Sequence, residues 1–226
     1  MKVDVCFSPA LYPYYADSNN YIVVVVDIFR ATTTMFAALK NGAKCIIPVA
    51  SIEEAQQYKA KGYLVGAERN VKRCDFADFG NSPFDYTEDK VEGKEIVFTT
   101  TNGTQAIEAA ANADILTIGA FSNISALTEF CIQKQKDVMI LCAGWNNRFN
   151  IEDTLFGGAL ADRLMAKGYA SASDATQVAL SMWQEAKSDL RGYINRTEHI
   201  KRLEANNLQD SVEYCLTVDT ANLVPL

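Results

Sequence analysis

The chain has 226 residues, 49% of them hydrophobic and 22% charged, which suits an ordinary globular protein and excludes a disordered one. Its net charge of −7 argues against a general nucleic-acid binder, which would carry a basic stripe, and against docking on anionic lipid. An anionic substrate would have to be held by local cations or a metal against that field.

In chain order, KVDVCFS (2–8) is a weak strand candidate and YIVVVVD (21–27) a strong one. ATTTMFAALKNG (31–42) reads as a helix stopped by Gly42. KCIIPVA (44–50) is the next strand, and SIEEAQQYKAKG (51–62) a helix opened by Ser51 and Glu54 at capping-box spacing. GYLVGAE (62–68) is a second weak strand, and the stretch from Arg69 to Glu92 is the longest without regular pattern. KEIVFTTT (94–101), ADILTIGA (113–120) and DVMILCAG (137–144) are strands, with helices in GTQAIEAAAN and NISALTEFCIQKQ between them. IEDTLFGGALADRLMAKG is a long amphipathic helix ended by Gly168, after which SDATQVALSMWQEAK, TEHIKRLEANN and QDSVEYCLTV all read as helical.

Continuous apolar strands alternating with helices predict an α/β fold with a mostly parallel or mixed sheet, finished by a helical C-terminal third. One domain over residues 1–226 is expected, with no linker or repeat. The N-terminus lacks the pattern of a signal peptide, and no apolar run reaches the ~18 residues of a membrane span. The six cysteines form no CxxC and sit mostly in apolar runs, so reduced thiols in a cytoplasmic, soluble protein are expected.

Parallel sheets bind ligands beyond the carboxyl ends of their strands. The strands deliver Asp27 and Arg30, then Glu68 and Arg69, then Thr99 to Thr104, then Cys142, Arg148, Glu152 and Asp153 to such a rim. TTTNGT is a phosphate cradle: its hydroxyls and backbone N–H groups meet an anion at a helix start, and Gly103 allows close approach. The same residues would also serve as an ordinary helix cap. Converging carboxylates beside a phosphate loop suggest Mg²⁺, although each carboxylate singly also suits a helix start.

Other phosphoryl chemistries fit less well. Phe29 stands where a haloacid dehalogenase needs a second aspartate, and Walker A and GxGxxG loops are absent. Cys142 and Arg148 have the Cys-x₅-Arg spacing of a cysteine phosphatase, which stays open as an alternative. Against it, Leu141, Trp145 and Phe149 occupy positions where such loops carry other residues. The one histidine, His199, lies in a charged helical stretch and reads as solvated, leaving Ser-His-Asp and His-rich zinc chemistry without support. A non-catalytic protein that binds an anionic metabolite is the remaining alternative.

The segments VVVVDIFRATTT, ALKNGAKCIIPV, FGNSPFDYT, VEGKEIVFTTTNGTQAI, IGAFSN and the AG…F-x-x-ED run occur in this order. The whole resembles the 2-phosphosulfolactate phosphatase family, from residue 2 to the Val-Pro near the end. The resemblance implies a three-layer α/β/α fold and Mg²⁺-dependent hydrolysis of 2-phospho-3-sulfolactate to 3-sulfolactate and phosphate, a step towards coenzyme M. Asp27 and Arg30 match its D-x-x-R-A-T and are the expected catalytic pair, Asp27 either attacking phosphorus or holding metal and water. Glu68 and Arg69 match G-x-E-R, Asn81 and Ser82 match N-S-P, and Thr100, Thr101, Asn102, Gly103 and Thr104 match T-T-N-G-T. Glu152 and Asp153 match its acidic pair, so the expected Mg²⁺ ligands are Asp27, Glu68, Glu152 and Asp153. Arg69, Lys72, Arg73 and Arg148 are candidates for the sulfonate and carboxylate. The expected partner is therefore a small anionic phosphomonoester, with no nucleic acid and no membrane; a homo-oligomer stays open. The sequence departs from the family pattern at Asn70, Val71 and Lys72 and at Trp145 to Arg148, where the organic part of a substrate would be read.

Overall fold

A computed structural model describes residues 1–15 and 20–226. The strands are β1 (Lys2–Cys6), β2 (Tyr21–Val26), β3 (Cys45–Pro48), β4 (Leu64–Arg69), β5 (Lys72–Arg73), β6 (Glu95–Thr99), β7 (Ile115–Gly119), β8 (Asp137–Cys142) and β9 (Ala170–Ser171). The helices are α1 (Ala31–Lys40), α2 (Ile52–Ala60), α3 (Glu88–Val91), α4 (Gly103–Ala109), α5 (Ile124–Lys134), α6 (Ile151–Met165), α7 (Asp174–Ala186), α8 (Leu190–Ile194), α9 (Glu198–Ala205) and α10 (Ser211–Leu216).

The expected α/β alternation and parallel pairing are present, and helices cover the sheets. β2 is a central strand, paired in parallel with β7 on one side and β8 on the other, so Val24 faces both Thr117 and Ile140. That placement explains its unbroken valines, each almost fully buried because both faces of the strand are covered.

The strands form two sheets where the sequence suggested one. A five-stranded parallel sheet runs β7-β2-β8-β1-β9, and a four-stranded sheet runs β3-β6-β4-β5 with only β5 antiparallel. The alternation along β6 explains how the smaller sheet is held. Ile96 and Phe98 join the main core, while Val97 faces a small cluster with Ala55 of α2, Val65 and Ala67. α1 packs on β3 of the small sheet and β7 of the large one, and its Met35 and Phe36 sit in the main core.

Capping follows the sequence signals. The Glu54 N–H donates to Ser51 Oγ at 3.1 Å, and Gly42 and Gly168 take φ of 89° and 95° just past their helices. The stretch 69–92, which carries no periodic pattern, is nonetheless ordered. It holds a hairpin between β4 and β5, a turn of 3₁₀ helix at Pro83–Asp85, and α3. Elements this short give too few residues for periodicity to register.

α6 is buried without a break from Glu152 to Ala161, between the large sheet and α7, so its acidic first turn is brought into the interior. α10 closes against the 3₁₀ turn, with Phe84 packed on Tyr214 at 5.5 Å. No helix among the described residues is long and apolar enough to cross a membrane.

Candidate active site

The ends of β2 and β8 in one sheet and of β4 and β6 in the other meet at a common rim. Two contacts tie the halves together. The Asn146 N–H donates to Asn102 Oδ1 at 2.9 Å, and Thr34 Oγ1 donates to the Asn81 carbonyl at 3.2 Å.

Asp27 follows β2 directly. Its backbone is locked by Thr32, whose Oγ1 accepts the Asp27 N–H at 3.1 Å and whose own hydroxyl donates to the Asp27 carbonyl at 2.9 Å. Oδ1 accepts the Ala31 N–H at 3.2 Å, so the carboxylate also serves the start of α1. Oδ2 accepts no hydrogen bond from the described residues and faces Gly103. A Cβ at Gly103 would lie 2.8 Å from that oxygen and 2.6 Å from Ala31 Cβ, which explains the glycine inside the TTTNGT loop. Burial raises the Asp27 pKa to about 6, opposed by the nearby His199.

Arg30 is 3% exposed, and its Nη1 donates to Ser211 Oγ at 3.4 Å. Glu68, Asp85 and Asp210 lie within electrostatic reach and offset its buried charge. The TTTNGT loop is self-supporting, because the Thr100 N–H donates to Thr104 Oγ1 at 3.1 Å and Thr104 Oγ1 donates back to the Thr100 carbonyl at 3.1 Å.

The four expected metal carboxylates take different positions. Asp153 is fully buried and accepts from the Ile28 N–H at 2.8 Å, the Gly144 N–H at 3.1 Å and Asn150 Nδ2 at 2.8 Å. It pins the ends of β2 and β8 to α6, and those donors occupy its oxygens. Burial pushes its pKa well above the usual carboxylate range, and the neighbouring Asp27 and Glu152 push the same way. Glu68 accepts the Val71 N–H, and Thr101 Oγ1 donates to its Oε1 at 3.2 Å, so it binds the β4–β5 turn to the TTTNGT loop. Glu152 Oε1 meets His199 Nδ1 at 2.5 Å. Among the described residues no three His, Cys, Asp or Glu side chains form a group that could enclose a metal.

The basic candidates also separate. Arg69 turns inward, donating to the Glu68 carbonyl at 2.6 Å, the Ala50 carbonyl at 3.1 Å and Thr99 Oγ1 at 2.9 Å. Lys72 and Arg73 are exposed on β5. Asn81 is buried with its Oδ1 unpartnered, and Ser82 lies beside it at the start of the 3₁₀ turn. Arg148 is exposed at the end of a tight hairpin whose central residues, Asn146 and Asn147, have φ of 50° and 59°. That is the left-handed pair of a type I′ turn, which asparagine tolerates well. Gly144 precedes it at φ 64°, where a Cβ would strike the Arg148 carbonyl oxygen at 2.2 Å.

The cysteine alternative does not survive this geometry. Cys142 is fully buried within β8, paired with Val26, and burial pushes its thiol well above the ordinary range. The residues after it form a hairpin instead of a cradle around a thiolate. Cys142→Ala is expected to keep at least half of wild-type turnover, and iodoacetamide to leave native activity unchanged. A loss above about a hundredfold, typical of a missing nucleophile or catalytic base, would restore the cysteine reading.

His199 corrects the expectation of a solvated side chain. It is 5% exposed, edge-on to Phe29 at 5.6 Å and Trp145 at 5.5 Å, with Nδ1 on Glu152. The signal was present: His199, Ile200 and Leu203 share one helix face, and that face is the buried one. Arg202, three residues on, lies in no motif of the sequence; its guanidinium stacks 4.2 Å from the Trp145 ring centre.

A family model described as 2-phosphosulpholactate phosphatase matches residues 6–226. A protein of Thermotoga maritima named probable 2-phosphosulfolactate phosphatase is 37% identical over 202 residues, covering 89% of this chain and 87% of that one. A protein of the same name from Caldanaerobacter subterraneus subsp. tengcongensis is 35% identical over 213 residues, covering 92% and 88%. Another from Clostridium beijerinckii is 31% identical over 236 residues, covering 100% and 96%. With a buried acid, a buried arginine and a threonine-glycine loop on one rim, and these likenesses along nearly its whole length, the chain belongs to the 2-phosphosulpholactate phosphatase family of phosphoric monoester hydrolases.

Proposed function

We propose that the protein hydrolyses 2-phospho-3-sulfolactate to 3-sulfolactate and phosphate with Mg²⁺ as cofactor, a step towards coenzyme M. The observation that carries this reading is Asp27 Oδ2, an oxygen of a buried residue that accepts no hydrogen bond from the described residues and faces Gly103 of the TTTNGT loop. Mg²⁺ suits the site because it commonly takes one or two carboxylates and completes its shell with phosphate oxygens and water. Asp27 and Glu152 would hold it, because each keeps one oxygen unpaired among the described residues, whereas Asp153 and Glu68 are engaged with backbone and Thr101. When bound, the ion supplies positive charge to the phosphoryl oxygens.

The chain's own groups do the rest. In the Thr100–Thr104 loop the N–H groups of Asn102 and Gly103, at the start of α4, have no acceptor among the described residues and would meet the phosphate, whereas the Thr101 and Thr104 hydroxyls already donate to Glu68 and to the Thr100 carbonyl. Arg30, buried and charged, stabilises the oxygens as negative charge builds on them. The ester P–O bond breaks as water, or first Asp27, adds to phosphorus, and the departing alkoxide takes up a proton. The six unpaired cysteines fit a reducing, cytoplasmic setting.

The test is phosphate release from a panel of 2-phosphosulfolactate, 2-phospholactate and isopropyl phosphate with Mg²⁺. The expected order of kcat/KM follows the order given, with 2-phosphosulfolactate fastest. No release from any of them, alongside tight binding of sulfolactate, would make the protein a binding module instead.

A further inference from the structure

Arg148 and Arg202 line a cavity of about 320 Å³ between the 145–148 hairpin and the start of α9. Its wall also carries Glu152, Glu198 and His199. The acidic members are answered by other partners: Glu152 by His199 Nδ1, and Glu198 by Lys201 Nζ at 2.6 Å. Neither arginine is in an ion pair among the described residues. Arg202 is nonetheless held in place, stacked on Trp145, with its Nε buried and lacking an acceptor. A planar guanidinium fixed by an aromatic face and short of an acceptor is preorganised for an oxyanion.

The cavity adjoins the Asp27 rim through Glu152, which lines it and lies within electrostatic reach of Asp27. Glu152 is therefore common to the cavity and to the surroundings of Asp27. A phosphate ester of a hydroxy acid places its second anionic group only a few bonds from phosphorus. Of the basic residues at the rim, Arg69 is turned inward, with three of its donors on protein acceptors.

We infer that this cavity receives the non-phosphate oxyanion of the substrate, and that Arg202, assisted by Arg148, is the residue that reads it. The inference rests on the phosphatase reading above. Carboxylate and sulfonate share the paired oxygens that match a guanidinium fork.

The test is equilibrium binding of 3-sulfolactate, lactate and inorganic phosphate to the full chain, followed by tryptophan fluorescence and calorimetry. Arg202→Met keeps the aliphatic stem on Trp145 and removes the charge, and Arg202→Lys restores the charge without the fork. Sulfolactate affinity is expected to fall about tenfold to a hundredfold in Arg202→Met, in keeping with loss of charged hydrogen bonds. Arg202→Lys should recover part of it, and phosphate affinity should stay within a factor of three. An equal loss for lactate assigns Arg202 to the carboxylate, and an unchanged lactate affinity assigns it to the sulfonate. Unchanged sulfolactate affinity in Arg202→Met, no sulfolactate binding by the wild type, or an equal loss for phosphate would overturn the inference. Absence of phosphate release by the wild type would sink the phosphatase reading alone, because these binding results decide the cavity's role without turnover.

Discussion

Replacing Asp27 with asparagine is expected to lower kcat for phosphate release by about a thousandfold or more, a loss typical of a group acting on the reacting centre. The same substitution is expected to leave the melting temperature unchanged or slightly higher. Both outcomes come from one geometry. Asparagine keeps an oxygen to accept the Ala31 N–H, now 3.2 Å from Oδ1, so α1 retains its start. It removes a buried negative charge that Glu68 and Glu152 both disfavour. Relief of that repulsion is worth up to about 1 kcal/mol, the usual scale of a stability–activity trade-off. Phosphate release and thermal unfolding on the same preparation would check it. Retained turnover would remove Asp27 from the chemistry, and a collapse of stability would make it a structural cap.

Asp153→Ala is expected to show the opposite pattern, a loss of stability of about 2–4 kcal/mol. The substitution strands the Ile28 and Gly144 N–H groups and Asn150 Nδ2 in a fully buried setting. Less repulsion on Asp27 and Glu152 offsets part of the cost. For a chain of this length the melting temperature should fall by roughly 10 °C. Unfolding in EDTA separates this role from metal binding. A clip on the backbone destabilises the protein equally with and without Mg²⁺. A difference that appears only with Mg²⁺ present would make Asp153 a ligand.

The buried strands were legible because β-branched runs such as Ile22 to Val26 can satisfy their periodicity only between covered faces. The split into two sheets was not, because strand pairing depends on contacts far apart in sequence. Nothing in KCIIPVA says that it pairs with Glu95–Phe98 and not with Tyr21–Val26. At the site, the strand-end rule placed Asp27, Thr100 and Glu68 on one rim. Their division of labour was hidden, since Asp153 and Glu68 are recognisable as clips only once Gly144, Ile28, Val71 and Thr101 are seen to donate to them. The burial of His199 is masked in the sequence because its charged neighbours outweigh its shared face with Ile200 and Leu203.

The central claim is that the Asp27 rim is a phosphatase centre needing a divalent cation. The most direct measurement follows inorganic phosphate released from 2-phosphosulfolactate by the native chain, before and after EDTA treatment and dialysis, and again after Mg²⁺ is returned. The account predicts turnover that falls to background on chelation and returns with Mg²⁺. Full turnover in the chelated enzyme would contradict it.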